Sequence, residues 1–148
     1  MNVMQPDFRS IGTRCAAVRT LMTARSIARM YDQAMKPVGL TGTQFTLLVA
    51  IGSSDFKSIS ELGETLCIEK STLSRNLKPL LEAGLLERVR SGGTRSVTHK
   101  LTEQGEDRLK DAIPLWDQAQ SHIESEIGRE DLKSGYRFLA RLRQAARV

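Results

Sequence analysis

The residue pattern changes its period at Gly84, and this change constrains the fold more than any other feature. Before it, Leu73, Leu77 and Leu80 recur at spacings of four and three residues, which places them on one face of an α-helix. Gly84 follows in a position that commonly ends a helix. Beyond it, "LLERVR" and "SVTHKL" flank the turn sequence "SGGT". The pattern therefore predicts a helix that leads through a glycine into a β-hairpin.

The segments before this helix also have helical patterns. Apolar residues lie three or four apart over about residues 11–35, which predicts one long helix. The nearly continuous apolar run "FTLLVAI" predicts a buried helix that Thr43 caps. A short helix, "ELGETL", is expected to open at Ser60.

The segments after the hairpin predict two further helices. Thr102 is expected to cap a long helix that is bent at Pro114 and ends near residue 127, and a last helix should cover about residues 130–146. The expected fold class is mainly α with a small β-hairpin (α+β). Residues 40–102 would form the central lobe.

The terminal helices, over about residues 10–36 and 103–148, carry apolar stripes that are longer than the central lobe can cover. The most economical cover for such stripes is the same surface of a second chain. The chain is therefore expected to form a homodimer through these helices.

The charge of the chain is concentrated around the basic helix and the hairpin. Residues 69–100 hold a net charge of +4 out of +5 for all 148 residues, which favours a polyanionic partner. The two cysteines, Cys15 and Cys67, are too few for a disulfide scaffold and indicate a reducing compartment. The N-terminal residues lack the apolar segment of a secretory signal, and no apolar run is long enough for a membrane span. A cytoplasmic protein without membrane contact is expected.

One face of the helix over residues 70–83 suits nucleic acid. The leucines, with Leu81, occupy one side, and no Asp or Glu interrupts residues 70–81. Hydroxyls and cations on the other side can bond phosphates and base edges in a major groove, where a carboxylate would be repelled. Arg75 is the best base reader, because a guanidinium can bond a guanine through two hydrogen bonds. The candidate DNA-binding residues are Ser71, Thr72, Ser74, Arg75, Asn76 and Lys78, of which Asn76 lies nearer the leucines.

The hairpin adds four cations, Arg88, Arg90, Arg95 and Lys100. Cations on a hairpin with a glycine tip can follow a DNA backbone or enter a minor groove. A solvated amphipathic helix or an ordinary hairpin explains either element alone. Their succession and shared charge favour nucleic acid.

Three segments, "LTGTQFTLLVAI", "SISELGETLCIEKSTLSRNLKPLLEAGLLERV" and "THKLTEQG", resemble the winged helix-turn-helix repressors of the multiple antibiotic resistance regulator (MarR) family. The resemblance implies a homodimer on a pseudo-palindromic operator, with recognition helices in successive major grooves and wings in minor grooves. Half-site centres would lie about 34 Å apart. It places the wing contact on Arg95. "SGGTRS" is shorter than the Asp-rich tip that the family's wing often carries and lacks the Asp, so the resemblance does not extend to an ion pair that braces the wing.

The resemblance also implies a small-molecule effector that binds where the first, second and fifth helices of that family meet. Residues of this sequence that fall there, and that would equally suit a core, are Met22, Tyr31, Phe45 and Trp116.

Peroxide sensors of the same family carry a reactive cysteine near the N-terminus. Alignment on "LTGTQF" puts Ala17 at that position, and Leu21 replaces one of the two tyrosines that polarise the thiol. We therefore favour a core or interface position for Cys15 over a redox role.

The function expected from the sequence is a repressor that a small molecule releases from DNA. No catalytic motif stands out, and His99 and His122 have no ligand-pairing pattern, so no enzyme activity, cofactor or metal is expected. Three alternatives remain open: a constitutive or architectural DNA binder, a winged-helix module that binds an acidic protein, and a cysteine-based redox sensor.

Overall fold

The computed structural model describes residues 7–54, 56–90 and 96–147. It contains a two-stranded antiparallel sheet within a helical fold, so the expected fold class is confirmed. The elements in chain order are α1 (Phe8–Arg14), α2 (Ala16–Met35), a 3-10 turn (Lys36–Val38), α3 (Gly42–Ser53), α4 (Ile59–Leu66), α5 (Lys70–Glu82), β1 (Leu86–Arg90), β2 (Val97–Leu101), α6 (Glu103–Ile127) and α7 (Arg129–Ala145).

The prediction of one continuous helix over residues 11–35 is wrong. Cys15 has an extended backbone (φ −68°, ψ 115°) and separates α1 from α2. Asp7 caps α1, because its carboxylate accepts from the Ser10 amide at 3.0 Å. The apolar spacing continues across the break, since such spacing reports which side chains share a face and not whether the backbone is continuous.

The starts of α3 and α4 are fixed by side-chain caps that lie two residues before those predicted. Thr41 and Gln44 form a capping box, in which the Thr41 hydroxyl accepts from the Gln44 amide at 3.1 Å and the Gln44 side chain accepts from the Thr41 amide at 2.9 Å. The Ser58 hydroxyl accepts from the Glu61 amide at 3.1 Å and begins α4. These bonds satisfy amides that a helix start otherwise leaves unpaired.

The core lies where α3, α4 and α5 meet the base of the hairpin. Leu73, Leu77 and Leu80 of α5 are each at most 2% exposed, whereas Leu81 is half-buried at the edge. They pack with buried side chains of the other elements, namely Met35, Leu40, Phe45, Leu47, Leu48, Ala50, Ile51, Leu62, Leu85, Leu86 and Ala112. The predicted leucine face of α5 is confirmed.

Thr102 joins the hairpin to α6. Its amide donates to the Leu85 carbonyl at 3.2 Å, its hydroxyl donates to the Gly84 carbonyl at 2.6 Å, and the same oxygen accepts from the Gly105 amide at 3.0 Å. Gly105 is buried against Leu85, and a Cβ at position 105 would overlap the Leu85 carbonyl oxygen. The first turn of α6 thus approaches the end of the α5–β1 connection as closely as only a glycine allows.

The terminal helices extend beyond this core. α6 is a single helix that includes Pro114, α2 packs on α3 and α6, and α7 packs on α6. Large apolar side chains on these helices are exposed, from Phe8 at 75% to Trp116 at 36%: Phe8, Ile11, Val18, Leu21, Met22, Ile27, Ile113, Trp116, Ile127, Tyr136, Phe138 and Leu139. None of the helices in the described ranges is long and apolar enough to cross a membrane.

His99 is a buried polar side chain in the hairpin. It is 8% exposed and stands opposite Arg88 in the β1–β2 register. Burial lowers the pKa of the imidazole, and the positive charge of Arg88 lowers it further. Burial and the neighbouring cation thus both favour the neutral form of His99.

Replacing Gly105 by Ala should destabilise the fold by about 1–3 kcal/mol, because the new methyl group must displace the Leu85 backbone. Urea unfolding at fixed protein concentration measures this as a lower midpoint. The matched control is Gly135→Ala in α7, where a Cβ meets nothing within 4 Å. That change should leave stability equal or raise it by up to about 1 kcal/mol. Equal effects of the two substitutions would contradict the close approach of α6 to Leu85.

The protein should lose stability in acid partly through His99. A lowered folded pKa means that stability is fully present above the unfolded value of about 6.5 and falls as the pH drops through the folded value. The urea concentration at the unfolding midpoint should fall between about pH 7.5 and about pH 5.5. This fall should be smaller in His99→Gln than in the wild type. His122→Gln, on the exposed surface of α6, should keep the wild-type loss. An unchanged loss in His99→Gln would show that His99 does not contribute.

Candidate nucleic-acid interface

The core holds α5 by one face and leaves its other face in solvent. Ser71, Thr72, Ser74 and Arg75 are all exposed, opposite the buried Leu73 and Leu77. The structure therefore brings the predicted hydroxyls and the predicted base-reading arginine together on one open surface. The sequence determines this directly, since helical spacing separates the two faces.

The side chains of this face have few competing contacts. Within the described residues, the Arg75 guanidinium makes no side-chain hydrogen bond and no ion pair, so all its donors are available to a ligand. Lys78 forms an ion pair with Glu82 at 3.7 Å, with both side chains well exposed. An exposed pair of this kind contributes about 0–1 kcal/mol, so Lys78 can exchange Glu82 for a phosphate at low cost.

Asn76 differs from its neighbours. It is half-buried, and its side-chain amide donates to the Thr72 carbonyl at 2.9 Å. The amide thus bonds to its own helix, so Asn76 is less available to DNA than Ser71, Thr72 or Arg75.

Pro79 lies inside α5, which continues without interruption to Glu82. Proline has no amide hydrogen, so the carbonyl of Arg75 lacks the donor that position 79 would otherwise supply. The missing hydrogen bond thus lies between the exposed residues up to Lys78 and the buried Leu80.

The hairpin stands beside α5 as the predicted wing. β1 and β2 pair from Leu86 opposite Leu101 to Arg90 opposite Val97, and Arg90 is exposed near the tip. Arg95, the residue to which the resemblance assigned the wing contact, lies outside the described residues.

The hairpin is anchored to the segment before α4. The Ser96 hydroxyl donates to the Lys57 carbonyl at 2.8 Å, and the Thr98 hydroxyl donates to the Phe56 carbonyl. Lys57 is exposed at this junction and was not among the DNA-binding residues predicted from the sequence. In the sequence Lys57 is only a lysine directly before a helix cap. It becomes a candidate DNA contact only once the wing is known to lie against it.

A cavity of about 430 Å³ lies between α2, α3 and α6. It is lined by Ala24, Ile27, Ala28, Tyr31, Gly42, Thr43, Phe45, Thr46 and Trp116. Three of the four predicted pocket residues are therefore brought together. Met22 is not among the lining residues and is 57% exposed, because it precedes Ala24 by two positions and so faces the opposite side of α2.

Polar contacts lead from this cavity to the start of α7. The Tyr31 hydroxyl bonds Gln120 Oε1 at 2.7 Å, Gln120 Nε2 donates to Glu124 Oε1 at 3.2 Å, and Arg129 Nε donates to Glu124 Oε2 at 2.9 Å. Burial raises the pKa of Tyr31, and the nearby Tyr136 and Glu124 raise it further. The pKa of Glu124 is lowered by its hydrogen bonds from Gln120 and Arg129.

The cysteines and metal-ligating side chains form no comparable site. Cys15 is half-buried at the junction of α1 and α2, and Cys67 is exposed at the end of α4. Within the described ranges, no group of three or more His, Cys, Asp or Glu side chains is placed to hold a metal ion.

Comparison with known proteins finds matches over the part of the chain that carries this candidate interface. Residues 38–95, which include α3, α4, α5 and β1, match the sequence model of the MarR family. The HTH-type transcriptional regulator SarZ of Staphylococcus epidermidis is 31% identical over 87 residues, or 58% of this chain and 59% of SarZ. The organic hydroperoxide resistance transcriptional regulator of Bacillus subtilis is 29% identical over 56% of this chain and 57% of its own. The matches thus span about three fifths of these curated relatives.

Solved structures match over a greater length. The M. tuberculosis transcriptional regulator MosR superposes with a TM-score of 0.80 at 34% identity, covering 91% of this chain and 97% of MosR. MosR in complex with DNA matches with a TM-score of 0.78 at 32% identity, covering 90% of this chain and 99% of that one. These matches, with the family match across α3 to β1, show that the chain belongs to the MarR family of winged-helix transcriptional regulators.

Proposed function

We propose that the protein is a homodimeric, sequence-specific DNA-binding repressor of the cytoplasm, released from its operator by a small molecule. The observation that carries the proposal is the exposed face of α5 from Ser71 to Lys78, which carries no carboxylate. Arg75 stands on it beside the hydroxyls of Ser71, Thr72 and Ser74, and it has no side-chain hydrogen bond or ion pair to any residue that the structure describes. In a major groove these groups would bond base edges and phosphates. The solved complex of MosR with DNA supports the proposal by similarity.

The wing extends the same surface. Arg88, Arg90 and Lys100 are exposed on the hairpin, and Lys57 is exposed at its base. Cations at these positions would follow the phosphate backbone on either side of the groove that α5 enters. We assign them to affinity for any duplex, and we assign Arg75 to the choice of sequence.

The homodimer follows from the exposed apolar side chains of the terminal helices. Phe8 of α1 is 75% exposed and Phe138 of α7 is 60% exposed, and apolar residues of this size favour burial. A second copy would bury both sets at once through a two-fold axis. The same axis would place two α5 helices on one face of a duplex.

The effector would occupy the cavity between α2, α3 and α6, which touches the helices of both lobes. A molecule that prefers one arrangement of these helices shifts the population toward it. If that arrangement spaces the two α5 helices wrongly, DNA is released. The second candidate function is a constitutive DNA binder, which would not be released from DNA by a small molecule.

Arg75→Ala should lower the affinity for the preferred duplex by about 1–3 kcal/mol and reduce its advantage over random duplexes, because base contacts are lost. The duplex is first selected from a random pool, and affinities are then measured by fluorescence anisotropy. Lys133→Ala, which removes one charge from α7, is the matched control and should retain the preference. Full sequence preference in Arg75→Ala would contradict the assignment of base reading to this residue.

Lys100→Gln should act differently from Arg75→Ala. A lost phosphate contact weakens all duplexes by a similar factor and reduces the slope of log affinity against log salt by about 1. Binding titrations at several salt concentrations measure both effects. A selective loss for the preferred duplex would instead place Lys100 at a base.

Leu139→Asp should dissociate the dimer, because it places a charge within the exposed apolar stripe of α7. Sedimentation equilibrium measures the change as a large rise in the dimer dissociation constant. Ser134→Asp lies about 140° around the same helix from Leu139 and should leave the dimer intact. A monomeric wild type, or an unchanged dimer in Leu139→Asp, would contradict an interface at this stripe.

A further inference from the structure

We propose that the cavity between α2, α3 and α6 selects uncharged, mostly apolar molecules that donate a hydrogen bond. We further propose that Gln120, which is not among its lining residues, determines this selectivity by fixing the direction of the Tyr31 hydroxyl. The proposal rests on the proposed effector function and adds the chemistry of the ligand to it.

The lining of the cavity offers no charged partner to a ligand. None of its nine residues is charged, and Phe45, Trp116 and Ile27 provide apolar surface. The Asp32 carboxylate accepts from the amide of Gly42, a lining residue, at 2.7 Å, so a negative charge stands directly beside the lining. A carboxylate in this cavity would gain no cationic partner from the lining and would lie near the Asp32 carboxylate, so an uncharged molecule should bind more tightly.

The direction of the Tyr31 hydrogen bond is set from the far end of the polar chain. Arg129 carries only donors, and the ionised Glu124 carboxylate carries only acceptors. Arg129 Nε donates to one oxygen of Glu124 at 2.9 Å. The other oxygen, 3.2 Å from the Gln120 side chain, must therefore face the amide nitrogen of Gln120.

The orientation of the Gln120 amide then determines the proton on Tyr31. With Nε2 directed to Glu124, Oε1 is directed to the Tyr31 hydroxyl at 2.7 Å, and a carbonyl oxygen can only accept. Tyr31 must be the donor. Since its single proton is committed to Gln120, the hydroxyl has only lone pairs left for a molecule in the cavity.

A second hydroxyl of the lining is restricted in the same way. Thr46 donates to the Gly42 carbonyl at 3.0 Å, which leaves its lone pairs. Thr43 is exposed, and its hydroxyl can turn to serve either a ligand or water, so it sets no preference. The fixed polar groups of the cavity are thus acceptors, and a ligand without a donor leaves them unpaired on desolvation.

The experiment uses Trp116, the single tryptophan of the chain, as a fluorescent reporter inside the cavity. The full-length protein is titrated with 4-tert-butylphenol, 4-tert-butylanisole and 4-tert-butylbenzoate, which share one body and differ in their polar group. The phenol, uncharged at neutral pH, is expected to bind about tenfold more tightly than the ether, the difference that one unsatisfied buried group produces. The benzoate is expected to bind more weakly than the phenol.

Gln120→Met tests the cause of the selectivity. Without the Gln120 acceptor the Tyr31 proton becomes free to enter the cavity, so the ether should gain affinity and the ratio of phenol to ether should fall toward one. Glu124→Gln should lower the ratio too, because a carboxamide at position 124 allows the Gln120 amide to turn, and this variant retains the side-chain volume. Gln118→Met, on the exposed side of α6, should keep the wild-type ratio.

Two kinds of result would overturn the inference. One is a benzoate that binds as tightly as the phenol, or no fluorescence change with any of the three probes. The other is an unchanged ratio in both Gln120→Met and Glu124→Gln. Operator affinity in the presence of the phenol is measured separately. Ligand binding in the expected order with no effect on operator affinity would support the inference and reject the effector function.

Discussion

The burial of Leu73, Leu77 and Leu80 is the interaction on which the rest of the structure depends. These side chains hold α5 against α3, α4 and the base of the hairpin, and their spacing forces the residues between them outward. The outward residues are hydroxyls and cations without a carboxylate up to Glu82. One face of α5 thus belongs to the core, and the opposite face is the proposed DNA-reading surface. Because the two roles use different residues, neither restricts the other.

The second constraint is the contact between the two lobes. Thr102 bonds to Gly84, Leu85 and Gly105, and Gly105 allows α6 to approach the Leu85 backbone. The end of α5, the start of the wing and the start of the long terminal helix are therefore joined within a few residues. In the proposed function, a ligand near Trp116 that changed the angle of α6 would act on α5 through this contact.

Much of the fold was predictable because its signals are local. The leucine face, the hairpin and the Thr102 cap each depend on residues within a few positions of one another, and all three are confirmed. The break at Cys15 was missed because apolar spacing is the same on either side of it. The Ser96–Lys57 and Tyr31–Gln120 hydrogen bonds join residues 39 and 89 positions apart, and no periodicity encodes such contacts. Met22 was misplaced because the family resemblance located the region but not the helix face.

The most direct test of the central claim, that a pair of α5 helices reads DNA across a two-fold axis, is the selection of bound duplexes from a random pool by the purified protein. The expected result is a two-fold symmetric motif whose half-site centres lie about one helical turn, or about 34 Å, apart. Enrichment of no motif, or of a single asymmetric site, would contradict the claim.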